Sequence, residues 1–137
     1  MRPLLLDTCA TIWLVHGDTL ATAAVDALNE TRDTGETTFV SPITAWELGM
    51  LVSRRRLQLL VTPQRWFARL FEAPGVLLAD MSPELLIASS FLPGTPPRDP
   101  ADRIIAATAR EYGATLITRD RTLLDYGEQG HLSVVAC

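Results

Sequence analysis

Four carboxylates, Asp7, Glu47, Asp102 and Asp120, carry the chemistry that this sequence suggests. Asp7 closes the apolar run Leu4-Leu5-Leu6, and Asp120 follows the run Thr115-Leu116-Ile117-Thr118 by two residues. Glu47 has Ile43, Met50 and Leu51 at i−4, i+3 and i+4, so it lies along the apolar stripe of a helix. Asp102 sits three residues into another helix, above Ile105, Ala106 and Ala109, whose small side chains allow close approach to a sheet. Each acid has an ordinary explanation: Asp7 and Asp120 as turn or cap residues, Glu47 as a buried acid satisfied by one partner. Asp99 is expected mainly as a helix N-cap that pairs with Arg103 at i+4. Four acids converging on one crevice are a different matter. Like charges gathered there repel unless a cation sits among them. An oxygen-only set suits the hard cations Mg²⁺ and Mn²⁺. His16, a helix-end residue, and His131, a loop residue, fall outside these stretches, so zinc is not expected.

The elements that must position these groups are legible in the local pattern. Residues 3–7 read as a buried strand and Thr8–Val15 as a short helix; Asp18 is read as the N-cap of a helix over 19–32. Thr37–Val40 is a β-type run. Ser41-Pro42, Thr62-Pro63, Ser82-Pro83 and Asp99-Pro100 each place a capping side chain before a proline at the first helical position. They open helices continuing from Ile43, over Gln64–Glu72, over Glu84–Phe91 and over Ala101–Tyr112. Between them lie the apolar runs 76–79, 114–118 and 132–136. Short apolar runs alternating with helices imply an α/β fold: a mostly parallel sheet covered on both faces, in three layers. Ligands of such sheets bind beyond the carboxyl ends of the strands, where Asp7 and Asp120 fall.

With 137 residues and no internal repeat, residues 1–137 are read as one domain with a core large enough to need no disulfide. Cys9 and Cys137 form no paired motif, which fits a reducing, cytoplasmic setting. Arg2 followed by three leucines resembles the start of a leader, but Asp7 interrupts it too early. No stretch approaches the roughly 20 apolar residues of a membrane span. The net charge of −4 argues against a nucleic-acid partner until its distribution is considered. With the four clustered acids and Asp99 set aside, eleven acidic residues face twelve arginines, and there is no lysine. Arg54-Arg55-Arg56, Arg65 with Arg69, and Arg119 with Arg121 are local basic groups; the first is equally a solvated helix end and a phosphate-binding set.

Leu4-Leu5-Leu6-Asp7-Thr8, Ser41-Pro42-Ile43-Thr44-Ala45-Trp46-Glu47-Leu48, the stretch from Asp99 through Asp102 to Ala109, and Thr118-Arg119-Asp120 together resemble the PIN-domain ribonucleases, and within them the VapC-type toxins of bacterial toxin–antitoxin pairs. The resemblance spans nearly the whole chain in the right order, and Asp99–Ala109 is its most specific part. It implies a Rossmann-like sheet between helices and a Mg²⁺-dependent endoribonuclease, with Mn²⁺ a plausible substitute. It also implies that Asp7 and Asp102 are the principal metal ligands, that Glu47 and Asp120 complete the acidic set, and that Thr118 and Asp99 support it. A homodimer and a small antitoxin whose tail fills the acidic groove are further implied partners.

Three other readings stay in view. An aspartyl-phosphate enzyme or phosphatase also places acids at strand ends, but it normally needs a lysine, and the first-strand Asp-x-Asp is absent here, since Thr8 and Cys9 follow Asp7. A stand-alone RNA-processing nuclease and a non-catalytic RNA- or partner-binding domain share the same fold. Neither GxxxxGK[ST] nor GxGxxG occurs, which removes P-loop and dinucleotide-binding readings.

Overall fold

The structure, a computed structural model, describes residues 2–137. In chain order the elements are β1 (Leu4–Leu6), α1 (Thr8–His16), α2 (Thr22–Thr34), β2 (Thr38–Val40), α3 (Pro42–Ser53), α4 (Pro63–Leu70), β3 (Val76–Leu78), α5 (Pro83–Ala88), α6 (Pro100–Tyr112), β4 (Thr115–Thr118), α7 (Arg121–Glu128) and β5 (Ser133–Ala136). The strands form one five-stranded sheet in the order β3-β2-β1-β4-β5, and every pairing is parallel. From β1 the chain builds outward through β2 and β3, then returns to the other side of β1 for β4 and β5. The order therefore reverses between β1 and β4, where open α/β sheets leave a crevice for ligands.

Side-chain alternation along the strands makes the three layers. Leu5 and Leu116 face one way and pack with Ile43 of α3, Ile105, Ala106 and Ala109 of α6, and Leu123 and Tyr126 of α7. Leu4, Leu6 and Ile117 face the other way, against Ala10 of α1 and Ala24 of α2, with Phe67 and Leu70 of α4 beside them. Ile12, Leu48 and Trp66 tie α1, α3 and α4 together. The small face of α6 is buried as its sequence suggests: Ala106 is fully covered and Ile105 and Ala109 nearly so. That close packing delivers Asp102 to the strand ends.

All four cap-plus-proline starts form helices, with Ser41, Thr62, Ser82 and Asp99 accepting from main-chain N–H groups of the first turn. Four details depart from the sequence reading. The second helix begins at Thr22, not 19, and its N-cap is Ala21 with no side-chain bond. Asp18 is instead committed to closing α1, its N–H donating to the Trp13 carbonyl at 2.9 Å. Helix α5 stops at Ala88, leaving Phe91 exposed. Helix α7 carries no proline signal and starts on Asp120. Strand β3 is not buried on both faces, because as an edge strand it leaves Leu77 and Leu78 about half exposed.

The Pro- and Gly-rich loop before α6 is anchored on α7 and the turn after it. The Tyr126 hydroxyl donates to the Pro93 carbonyl at 2.6 Å, and the Thr95 N–H donates to Gln129 Oε1 at 3.1 Å. Gly94 has φ +70° and lies so close to His131 that a Cβ there would stand 2.4 Å from Nε2. This anchoring sets the entry to α6 and therefore the positions of Asp99 and Asp102. Among the described residues no helix is long and apolar enough to cross a membrane.

Candidate active site

Asp7, Glu47, Asp99, Asp102 and Asp120 line one open cavity of about 420 Å³ at the carboxyl end of the sheet. Three of the five are also helix N-caps, so the ordinary explanation and the site coincide. Asp7 caps α1, with Oδ1 accepting from the Ala10 N–H at 2.8 Å. Asp120 caps α7, accepting from the Leu123 N–H at 3.1 Å and the Thr122 hydroxyl at 2.5 Å. Asp99 caps α6, accepting from the Asp102 N–H at 3.1 Å. Asp7 and Asp120 point their carboxylates out of strand-to-helix junctions, which parallel strands put on one edge, and the anchored loop between α5 and α6 brings Asp99 to the same edge. The convergence follows from the topology.

Thr118 joins two of the acids. Its hydroxyl, fully buried, donates to Asp7 Oδ2 at 2.5 Å and accepts from the Asp120 N–H at 3.0 Å. Thr8 does similar work for Glu47: its hydroxyl donates to Oε1 at 2.5 Å and lies 3.1 Å from the Thr44 hydroxyl. Glu47 is half-buried and is held by one neutral donor, and among the described residues no cation is paired to it. Thr8 was not singled out from the sequence; a hydroxyl directly after a strand-end acid is the signal that points to it.

Burial raises the carboxyl of Asp7 above its ordinary range, the Thr118 and Ala10 bonds oppose this, and Asp120 adds to it. Glu47 is raised by burial and, in smaller measure, by Asp99 and Asp7, against the Thr8 bond. Asp102 is pushed up to about 7 by burial, and then by the charges of Asp120, Asp99, Glu47 and Asp7. Burial is the larger cause in all three, and the mutual repulsion added to it favours a positive charge in the cavity. Cys9 lies on the same wall, and burial of its thiol and the carboxylates of Asp7 and Glu47 push it up to about 11, which favours the thiol form.

The donor set fits a hard divalent cation: all oxygen, no imidazole, like charges with no compensating ion pair. Among the described residues no three His, Cys, Asp or Glu side chains make a ready-made ligand cluster. Mg²⁺ is commonly held by one or two carboxylates with water and substrate phosphate completing its shell, not by an all-protein cage.

Arg119 and Trp13 complete the wall. The guanidinium carbon lies 3.8 Å from the Trp13 ring centroid and Nε donates to the main-chain oxygen of Cys137 at 2.7 Å. The expected Asp99–Arg103 pair does not form; Arg103 reaches the Ser89 carbonyl at 3.4 Å. Arg121 turns along its own helix to Asp125 and Glu128, away from Asp120. The cap geometry of α6 explains the first case, since Asp99 spends its side chain on the Asp102 N–H. A larger cavity, about 540 Å³, lies at the opposite end of the sheet beside Arg2, Arg110 and His131 and contains none of the acids.

A five-stranded parallel sheet in this order, with acids at the switch point, defines a Rossmann-like α/β domain, and the model of the PIN domain matches residues 4–129. The chain belongs to the PIN-domain family. Within it, the chain is 34% identical over 124 residues to Ribonuclease VapC22 of Mycobacterium tuberculosis, covering 90% of this chain and 91% of that protein. Among solved structures it is similar to VapBC2 from Rickettsia felis bound to a DNA fragment from their promoter, with TM-score 0.65, 17% identity and 98% of each chain covered. It is also similar to FitAcB from Neisseria gonorrhoeae, with TM-score 0.56, 22% identity, and 96% and 95% of the two chains covered. At those identities the two structures share the fold.

Proposed function

We propose that the protein is a Mg²⁺- or Mn²⁺-dependent endoribonuclease and the toxin of a cytoplasmic toxin–antitoxin pair. The observation that carries the reading is the shared cavity of Asp7, Glu47, Asp99, Asp102 and Asp120 in a chain 34% identical to a VapC ribonuclease. Asp7 and Asp102 would hold the ion, which when bound supplies charge neutralisation for a phosphodiester and a more acidic water. Asp7 suits this because Thr118 and Ala10 fix both of its oxygens without adding a charge. Glu47, raised above its ordinary range by burial and steadied by Thr8, would orient the attacking water and accept its proton. Asp120 and Asp99 add negative potential at the rim. A small antitoxin and a homodimer are proposed from the VapC likeness.

The test is cleavage of cellular RNA by the purified protein with Mn²⁺ or Mg²⁺, with EDTA, and with Asp7→Asn or Asp102→Asn. Loss of cleavage in EDTA and in both folded variants supports the reading; a folded Asp102→Asn protein that cleaves at the parent rate sinks it. Arrest of growth on induction, relieved by co-expressing a small neighbouring reading frame, separates a toxin from a stand-alone processing nuclease.

A further inference from the structure

We propose that two joined cavities form one trough for an unpaired RNA strand, with Arg119 on Trp13 gripping it at one end and Trp46, Arg54 and Arg56 at the other. The acid cavity shares Thr8, Cys9, Glu47 and Asp99 with a second cavity of about 380 Å³, whose far wall is Trp46, Arg54 and Arg56. Glu47 and Asp99 therefore border both cavities, one carrying Arg119 and Trp13 and the other Trp46, Arg54 and Arg56.

The second set is not explained by packing. Trp46 is 57% exposed on α3, directly before Glu47, and contributes to no core cluster. Among the described residues Arg54 and Arg56 make no ion pair, although Glu47 and Asp99 line the same cavity. Arg55 between them has φ +59°, a left-handed conformation usually left to glycine at a helix end, and this reversal leaves Arg54 and Arg56 on the cavity and Arg55 off it. At the other end, Trp13 and the Cys137 carbonyl hold Arg119 in place, leaving its outer face and terminal N–H groups for a ligand.

Guanidinium groups bind phosphate through paired N–H groups and offer a plane for bases. An exposed indole offers a face to any base that is not already stacked. A duplex hides those faces within its own stack, whereas an unpaired strand or loop splays them out. Arginine and aromatic residues on either side of a phosphate-cleaving centre thus select unpaired RNA. The RNA identity of the ligand rests on the nuclease reading above.

The trough is tested by fluorescence anisotropy in EDTA with a labelled mixed-sequence RNA 12-mer and the corresponding 12-base-pair RNA duplex, across a salt series. Trp46→Ala should weaken binding of the single strand roughly 5- to 150-fold at unchanged salt slope, with Trp46→Phe recovering most of the loss and duplex binding unmoved. The Arg54→Gln/Arg56→Gln double variant should lower the single-strand salt slope by about 1.4, at about 0.7 per phosphate contact. Arg119→Gln should lower it by about half as much. In cleavage assays the Trp46→Ala and Arg54→Gln/Arg56→Gln variants should raise KM and leave kcat within about twofold. Single-strand affinity within twofold of the parent in the Trp46→Ala and double variants, or equal losses on duplex, would overturn the trough; a surface reserved for a protein partner gives the first result. Cleavage that persists with unchanged KM sinks the trough and leaves the nuclease standing. Binding losses in a protein that cleaves nothing with either metal keep the trough and sink the nuclease.

Discussion

Thr118 donates its hydroxyl to Asp7 Oδ2 at 2.5 Å, from the end of β4 to the end of β1 across the point where the strand order reverses. A neutral donor holds the carboxylate in place without cancelling its charge. Thr118→Val keeps the shape and removes the donor, leaving a buried carboxylate oxygen without its partner. The expected loss is about 1–3 kcal/mol at pH 8, read by urea denaturation. A loss under about 0.5 kcal/mol, within the usual scatter of surface substitutions, would mean the bond does little.

In EDTA the protein should become less stable as pH rises from about 4 to about 7. Asp102 titrates near 7 in the folded chain and near its ordinary 3.8 when unfolded, so in that window the folded state holds a proton that the unfolded state has lost. Asp7 and Glu47 are raised as well and act in the same direction. The melting temperature should fall between pH 5 and pH 8. Asp102→Asn should flatten the decline. A melting temperature that climbs across this range would contradict the arrangement of charges.

Added Mn²⁺ or Mg²⁺ should reverse that trend, because ligands must be deprotonated to hold a metal and binding to the folded state stabilises it. Calorimetry at pH 6 and pH 8 should give tighter binding at the higher pH with proton release at the lower. Equal affinity at both would place the ion elsewhere.

Asp120 has two roles that substitution can separate. Asp120→Ala removes the cap of α7 and should cost about 0.5–2 kcal/mol. Asp120→Ser restores an oxygen to the Leu123 N–H, so stability should return while the rim charge stays absent. If Asp120→Ser cleaves RNA at the parent rate, the residue is a cap and nothing more.

The seat of α7 on the sheet depends on Gly127. A Cβ there would lie 2.4 Å from Val134 Cγ2 and 2.9 Å from Cγ1 on β5, and valine has few rotamers with which to yield. Gly127→Ala should cost about 1–3 kcal/mol by overpacking. Combining it with Val134→Ala should recover part of the loss in a double-mutant cycle, whereas simple additivity would show that the two do not meet.

Much of this fold is written in local chemistry. A capping side chain followed by proline can hardly be anything but a helix start, and it identified α3, α4, α5 and α6 with their caps. Apolar runs of strand length announced β1, β3, β4 and β5, and the acids just beyond β1 and β4 were visible at the ends of those two runs. Helix α7 escaped because Asp120 reads equally as a solvated turn, and its helix is declared only by burial of Leu123 and Tyr126 against the sheet. The exposed face of β3 escaped because a strand's place at the edge is a matter of order in the sheet, which no run of residues encodes.

The chain itself determined which residues are acids, which of them open helices, and that helices alternate with strands. Only the folded arrangement decided that β4 returns beside β1, that Thr118 thereby reaches Asp7, and that Trp13 lies beneath Arg119. Caps and turns are set by neighbours within four residues, where main-chain geometry leaves few choices. Contacts between residues 111 positions apart, as with Asp7 and Thr118, depend on how the sheet closes its long connections, and that is settled by the burial of both its faces at once.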